Sequence, residues 1–249
     1  MTPFLIALQF LTTFPIQLKQ MPTQQQNGQS LLFYPVVGLI IGLILAVLAL
    51  LLQALPNVLL SSLILVFWIW LSGGLHLDGL ADSADAWVGG FGDKERTLAI
   101  MKDPACGPIG VLSLIILCVI KGSALYVLLQ HQLYAALILF PILGRLVPLF
   151  LFLTTSYVRK QGLGSSMAAF IPKTAALIVA ALCLLVVLYF QWLGILSFIA
   201  AVLTLLYLRH KFIQRIGGIT GDTLGASIEI TEAVSMLVFA CALSYLTLL

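Results

Sequence analysis

Charge is what this chain lacks most. Only 8% of its 249 residues are Asp, Glu, Lys or Arg, and 61% are hydrophobic. Soluble domains carry about 25% charged residues, so a water-soluble fold of this length is excluded. The short alternating segments of a transmembrane barrel are missing too. The four cysteines, Cys106, Cys118, Cys183 and Cys241, form no CxxC pair. That argues against a disulfide framework or a zinc site, and the last three read as small core residues. There is no Walker A loop, no GxSxG elbow, no HExxH and no dinucleotide fingerprint. Catalysis by a soluble nucleotide-binding domain is therefore excluded. The opening stretch MTPFLIALQFLTTFPIQLK has no basic residue ahead of its apolar run, unlike a secretory signal. It reads as a short interfacial helix.

What is present is a series of apolar runs near the roughly 20 residues that cross a bilayer. Spans are expected at about 31–55, 58–73, 107–129, 133–153, 174–190, 193–208 and from 230 to the C-terminus. The expected fold is all-α: a polytopic helical bundle of about seven transmembrane helices plus the N-terminal interfacial helix, in one membrane-embedded catalytic domain, 1–249.

The charges check that count. Of the 12 Lys and Arg residues, only Lys121 and Arg145 fall inside spans. With seven spans the other ten lie on one side, which the positive-inside rule makes cytoplasmic. The opposite turns, around Gln53–Asn57, Gln130–Gln132 and Gln191–Trp192, carry no Asp, Glu, Lys or Arg. The 9 acidic residues also gather on the charged side. Asp78, Asp82, Asp85, Asp93, Glu95 and Asp103 sit in the first large loop, and Asp222, Glu229 and Glu232 in and after the last one.

GGLHLDGLADSADA, residues 73–86, places Asp78, Asp82 and Asp85 at i, i+4 and i+7. On a helix they share a face. Three like charges that close are unfavourable without a cation, and magnesium, an oxygen-seeking ion that also binds phosphate, is the economical partner. GGITGDTLGASIEITEA, residues 217–233, brings Asp222, Glu229 and Glu232 into a comparable pattern, with Gly218 and its neighbours open to close ligand approach. Gly225 weakens the case for one unbroken helix there. Together the two stretches suggest one composite metal and phosphate site. Asp93 and Glu95, beside Lys94 and Arg96, read instead as a solvated turn. Lys102, in IMKDPACGPIGV, is either a phosphate binder or a snorkelling lysine. Arg145, mid-span in FPILGRLVP, must pair with a carboxylate or reach a substrate phosphate, with the phosphate favoured. His76 is a ligand, a proton shuttle or a helix-end residue without function. Arg215 is first a topology determinant and second an attractor of anionic substrate. Lys121 has no assigned role.

These segments, GGLHLDGLADSADA, MKDPACGPIGV, the in-span GR and GGITGDTLGASIEITE, together with the ALQFLTTFP start, resemble the cobalamin synthase family. Its members are adenosylcobinamide-GDP ribazoletransferases. The resemblance covers essentially the whole chain. It implies an enzyme of the bacterial or archaeal inner membrane, with its active site facing the cytoplasm. It further implies magnesium as cofactor, with adenosylcobinamide-GDP and α-ribazole or its 5′-phosphate as substrates. On that reading Asp78, Asp82 and Asp85 are the leading metal ligands and Asp82 the general base. Asp222, Glu229 and Glu232 complete the metal site or hold the ribazole. Lys102 and Arg145 neutralise phosphate oxygens, and His76, Asp103, Gly218, Asp222 and Arg215 contact substrate. The lipid bilayer is the expected surrounding, a homo-oligomer is allowed, and no nucleic-acid partner is expected. CDP-alcohol phosphotransferases, with similar spaced aspartates, are the runner-up. A cation- or proton-coupled transporter is the competing class, although no inverted repeat is visible.

Overall fold

The structure, a computed structural model, describes residues 1–246. It is helical throughout: α1 (Thr2–Leu11), α2 (Gln24–Ser30), α3 (Tyr34–Leu51), α4 (Asn57–Leu71), α5 (Leu75–Gly89), α6 (Lys94–Ile100), α7 (Pro108–Gln130), α8 (Leu139–Thr154), α9 (Leu163–Phe170), α10 (Lys173–Tyr189), α11 (Gln191–Ile216) and α12 (Gly221–Leu246). Among the described residues no strand forms. A single parallel bridge joins Tyr157 to Ile219. Prolines open α1, α3 and α7, where the missing N–H costs nothing and φ is already helical.

Five helical segments are long and apolar enough to cross a membrane, or seven if each of two bent pairs is one span. The expected spans thus correspond to α3, α4, α7, α8, α10, α11 and α12. One bent pair is α4 with α5, at 89°; the other is α9 with α10, at 93°. The first bend follows from Gly73 and Gly74, with φ +67 and +68. Glycine enters that left-handed region without a steric penalty, so the chain turns sharply and α5 leaves the direction of the span. The large polar loop expected after residue 73 is therefore mostly helix, α5 and α6. The expected last loop likewise shortens, because α11 runs on to Ile216 and carries Arg209, Lys211 and Arg215 with it.

The helices α8 and α12 form the centre of the bundle, the most buried of the spans. By contrast, α10 and α11 expose Leu177, Leu182, Leu185, Ile199 and Leu203, an outward apolar surface suited to lipid. The charged segments converge at one end. The Val158 N–H donates to Ile219 at 2.9 Å and the Ile219 N–H donates to Ser156 at 2.9 Å, pairing the segment after α8 with the turn before α12. Arg215 on α11 donates to the Trp87 carbonyl of α5 at 2.6 Å and to Thr97 of α6 at 2.9 Å. Its guanidinium also lies 5.1 Å from the Trp87 ring centroid. Arg215 is thus a tie between helices rather than a free substrate contact.

Within the bundle, α12 supplies both partners for the two mid-span bases. Lys121 of α7 donates to Glu229 at 2.6 Å and to Glu232 at 2.7 Å. Arg145 of α8 pairs with the other Glu232 oxygen. Arg145 and Glu232 are fully buried, and Lys121 and Glu229 nearly so. Lys121 also lies 4.6 Å from the Trp68 ring of α4. This corrects three expectations. Arg145 takes the carboxylate rather than a phosphate, and Glu229 and Glu232 are not free to join the aspartates, because their oxygens neutralise buried cations. Lys121, which had no role, is the hub. Gly144 lies where any side chain would collide with the Glu232 carboxylate, so the in-span GR pair supplies both the space and the charge.

Removing one partner of such a network strands a buried charge, at a cost of about 3–5 kcal/mol. Lys121→Met is expected to lower unfolding stability in detergent by that amount. The double variant Lys121→Met/Glu229→Gln, which restores neutrality, is expected to recover most of it. Chemical-denaturant melts of the three proteins provide the check.

Candidate active site

The helix α5 packs on α12 at two small-residue contacts. A Cβ at Gly79 would come within 2.8 Å of the Asp222 carbonyl, and one at Gly225 within 3.1 Å of the His76 backbone. Gly225 therefore does not break α12; it admits α5. This crossing brings the two acidic stretches together. Asp78 is exposed, Asp82 and Asp222 are half-buried, and all three stand at the charged end of the crossing. Asp222 accepts from Arg159 at 2.6 Å. Its helix begins with a reciprocal cap, in which Thr220 N–H donates to the Thr223 hydroxyl at 2.8 Å and Thr223 N–H to the Thr220 hydroxyl at 3.2 Å.

The aspartate at the third position, Asp85, faces elsewhere. Its two oxygens accept from Gly107 N–H at 2.7 Å and Gly110 N–H at 2.8 Å. Both donors are at the N-terminus of α7, where free amides and the helix dipole favour a carboxylate. Asp85 is thus a cap between helices, not a free metal ligand, although i, i+7 spacing alone put it with the others. Gly218 packs its backbone against the Ser156 carbonyl. It serves the chain pairing there rather than a ligand. Asp103 accepts from Ala105 N–H at 3.0 Å and shapes the turn before α7, and Lys102 stands exposed on that turn. His76 is buried, with its Nδ1 unpartnered.

Beneath Asp78 and Asp222 lies a cavity of about 300 Å³ between α1, α3, α5, α8, α9 and α12. Its wall is mainly apolar, with Phe10, Phe152, Met167 and Ile228, and it includes Tyr34, His76, Tyr157 and Arg159. Arg159 is the residue that motif reasoning missed. It was visible only as one base in a polar loop; the Tyr157–Ile219 pairing is what carries it to Asp222. Its Nε has no partner, so the guanidinium keeps a donor for an anion.

The Asp82 carboxyl is pushed up to about 6 from an ordinary 3.8, first by desolvation and then by the carboxylates of Asp78, Asp222 and Asp85. A cation would relieve that crowding. Among the described residues no group of three or more His, Cys, Asp or Glu side chains converges to hold a metal ion alone. The donor set nevertheless suits magnesium, which commonly takes one or two carboxylates and fills the rest of its shell with water and substrate phosphate.

A model of the cobalamin-5-phosphate synthase family matches residues 3–240. The chain belongs to that family. A relative from Acinetobacter baumannii is 59% identical over 246 residues, covering 99% of this chain and 100% of its own. One from Stutzerimonas stutzeri is 53% identical over 232 residues, covering 93% and 95%. One from Pseudomonas fluorescens is 50% identical over 235 residues, covering 93% and 96%. All three carry the name adenosylcobinamide-GDP ribazoletransferase. No solved structure matches. In this cobalamin-5-phosphate synthase family member the acidic surface of the α5–α12 crossing and the cavity below it form the candidate active site.

Because Asp82 is raised in the folded state, the fold holds its proton more tightly than the unfolded chain does. Stability is therefore lost as pH rises from about 4 through about 6. Asp82→Asn is expected to melt at a higher temperature than the parent at pH 7.5 in chelator. Water screening keeps the gain modest, and the gap should close as pH falls toward 4. Equal melting of the two proteins at pH 7.5 would mean that the carboxylates do not crowd one another.

Proposed function

We propose that this chain joins adenosylcobinamide-GDP to α-ribazole or α-ribazole 5′-phosphate, releasing GMP and giving adenosylcobalamin or its 5′-phosphate. The family membership and the relatives' names support the transferase and its substrates. The single structural observation behind the mechanism is the meeting of Asp78, Asp222 and Arg159 at one cavity, with Asp82 close enough to feel their charges. We further propose that the whole chain is one catalytic domain in the bacterial inner membrane, with this mouth facing the cytoplasm, as the gathering of bases on that side suggests.

In this reaction a ribose hydroxyl oxygen bonds to the phosphorus that carries the cobinamide side chain, and the bridging P–O bond to GMP breaks. Transfers of this type need positioning and charge neutralisation more than a covalent nucleophile. Asp82, with a carboxyl near 6, accepts the hydroxyl proton; a base is most useful when its pKa lies near the working pH. Arg159 directs its spare donor to a phosphate oxygen, and its pairing with Asp222 keeps it in place. Asp78 and Asp222 would hold magnesium, which when bound neutralises the diphosphate and lowers the pKa of the attacking hydroxyl. Lys102, exposed beside the site's helices, adds positive charge for anionic substrates.

The test is purified protein in nanodiscs with both substrates, following GMP and cobalamin by chromatography. Magnesium-dependent formation of both products is expected. Asp82→Asn should lower kcat by about 10²- to 10⁴-fold while leaving the protein folded, and Arg159→Gln should lower kcat/KM without changing the melting temperature much. Failure to form either product, from folded protein given both forms of ribazole, overturns the proposal.

A further inference from the structure

Among the cavities of this molecule, the one beneath Asp78 and Asp222 has a composition that selects among ligands. It is about 300 Å³, at the lower end of small-molecule pockets, which run to about 1,000 Å³. Its wall is mainly apolar and aromatic, yet one buried imidazole nitrogen on it has no partner. His76 is 4% exposed and its Nδ1 makes no hydrogen bond. The Tyr34 hydroxyl, by contrast, is satisfied by Ser30 and by the Met167 sulfur at 3.7 Å. Buried polar atoms in native proteins are nearly always satisfied. An unmet nitrogen on the wall of a mainly apolar cavity therefore points to a ligand that is mostly apolar and carries an isolated polar atom.

We infer that this cavity binds the aromatic base of the ribazole substrate, with His76 positioned to hydrogen-bond the base's free ring nitrogen. The inference rests on the function proposed above. Ribazole is the riboside of a dimethylbenzimidazole: a flat, apolar bicycle with one unsubstituted ring nitrogen. The other substrate offers no comparable part. A corrinoid ring is far too large for the cavity, and guanine carries hydrogen-bonding groups on several edges, whereas the buried part of the wall offers the apolar Phe152, Met167 and Ile228. A base seated here leaves its ribose at the mouth, among Asp78, Asp222 and Arg159, which is where the attacking hydroxyl is needed. The cavity thus acts as a sieve for the lower-ligand base, opening beside the Asp78, Arg159 and Asp222 side chains that handle the diphosphate.

The first test needs no variant. Free 5,6-dimethylbenzimidazole, added to the working enzyme in nanodiscs, is expected to inhibit competitively against α-ribazole but not against adenosylcobinamide-GDP. Inhibition competitive with adenosylcobinamide-GDP would assign the cavity to the guanosine and overturn the inference; so would no inhibition. The second test is His76→Leu, expected to raise KM for α-ribazole about tenfold, the usual effect of one lost hydrogen bond. KM for adenosylcobinamide-GDP should stay within twofold. The parent should also disfavour an indole α-riboside, which lacks the ring nitrogen, and His76→Leu should narrow that preference. Ile228→Phe, which fills the cavity instead, should weaken both ribosides alike. An active enzyme in which these variants leave the ribazole KM unchanged sinks the inference while the transferase reading stands. A parent protein that forms no product and binds no ribazole in equilibrium dialysis overturns both.

Discussion

Four charges held away from water set the terms for this fold. Lys121 and Arg145 lie inside apolar helices, where an unpaired cation is prohibitively placed. Glu229 and Glu232 answer them from a third helix, so the cluster is neutral and α7, α8 and α12 are fixed in register and rotation. Attraction in that environment is strong, but so is the cost of desolvation. The network ties the rotation of α12 to α7 and α8, because Glu229 and Glu232 face Lys121 and Arg145 only in this register. Gly144 belongs to the same constraint, since a side chain there would occupy the place of the Glu232 carboxylate.

The site follows from that register. Once α12 is fixed, its first turn presents Asp222 at the charged end and Gly225 toward α5. Gly79 and Gly225 let the two backbones approach closely enough to set Asp78 and Asp82 beside Asp222. The 89° turn at Gly73 and Gly74 is what lets α5 lie across α12 rather than continue the span. Lower in the same crossing, His76 faces the cavity. One helix thus links the charged surface to the apolar chamber, and the division between them matches a reaction between a diphosphate and an aromatic riboside.

Much of this was legible in the chain. Runs of apolar residues marked the spans, of which the structure has five, or seven if each bent pair is one span. The spacing of Asp78 and Asp82 showed a shared helix face, and their apolar surroundings marked them as more than solvated acids. Other residues were misleading because spacing does not report the partner. Asp85 has the right period but turns to the amides of Gly107 and Gly110, 22 and 25 residues away. Glu229 and Glu232 share a face with one another, yet their partners come from α7 and α8. Arg159 had no motif at all; a two-bond backbone pairing carries it into the site.

By itself, then, the sequence determined the helical class, the apolar segments suited to lipid and the concentration of carboxylates in two stretches, because these depend on local hydropathy and on charge counting along the chain. Only the tertiary structure decided which carboxylates stay free. That depends on which cations and helix ends come within about 3 Å of each oxygen, a distance set by glycine contacts and helix rotation between segments far apart in sequence. It assigned Glu229 and Glu232 to neutralising Lys121 and Arg145, Asp85 to capping α7, and left Asp78 and Asp222 on the cavity wall with Arg159, with Asp82 near them.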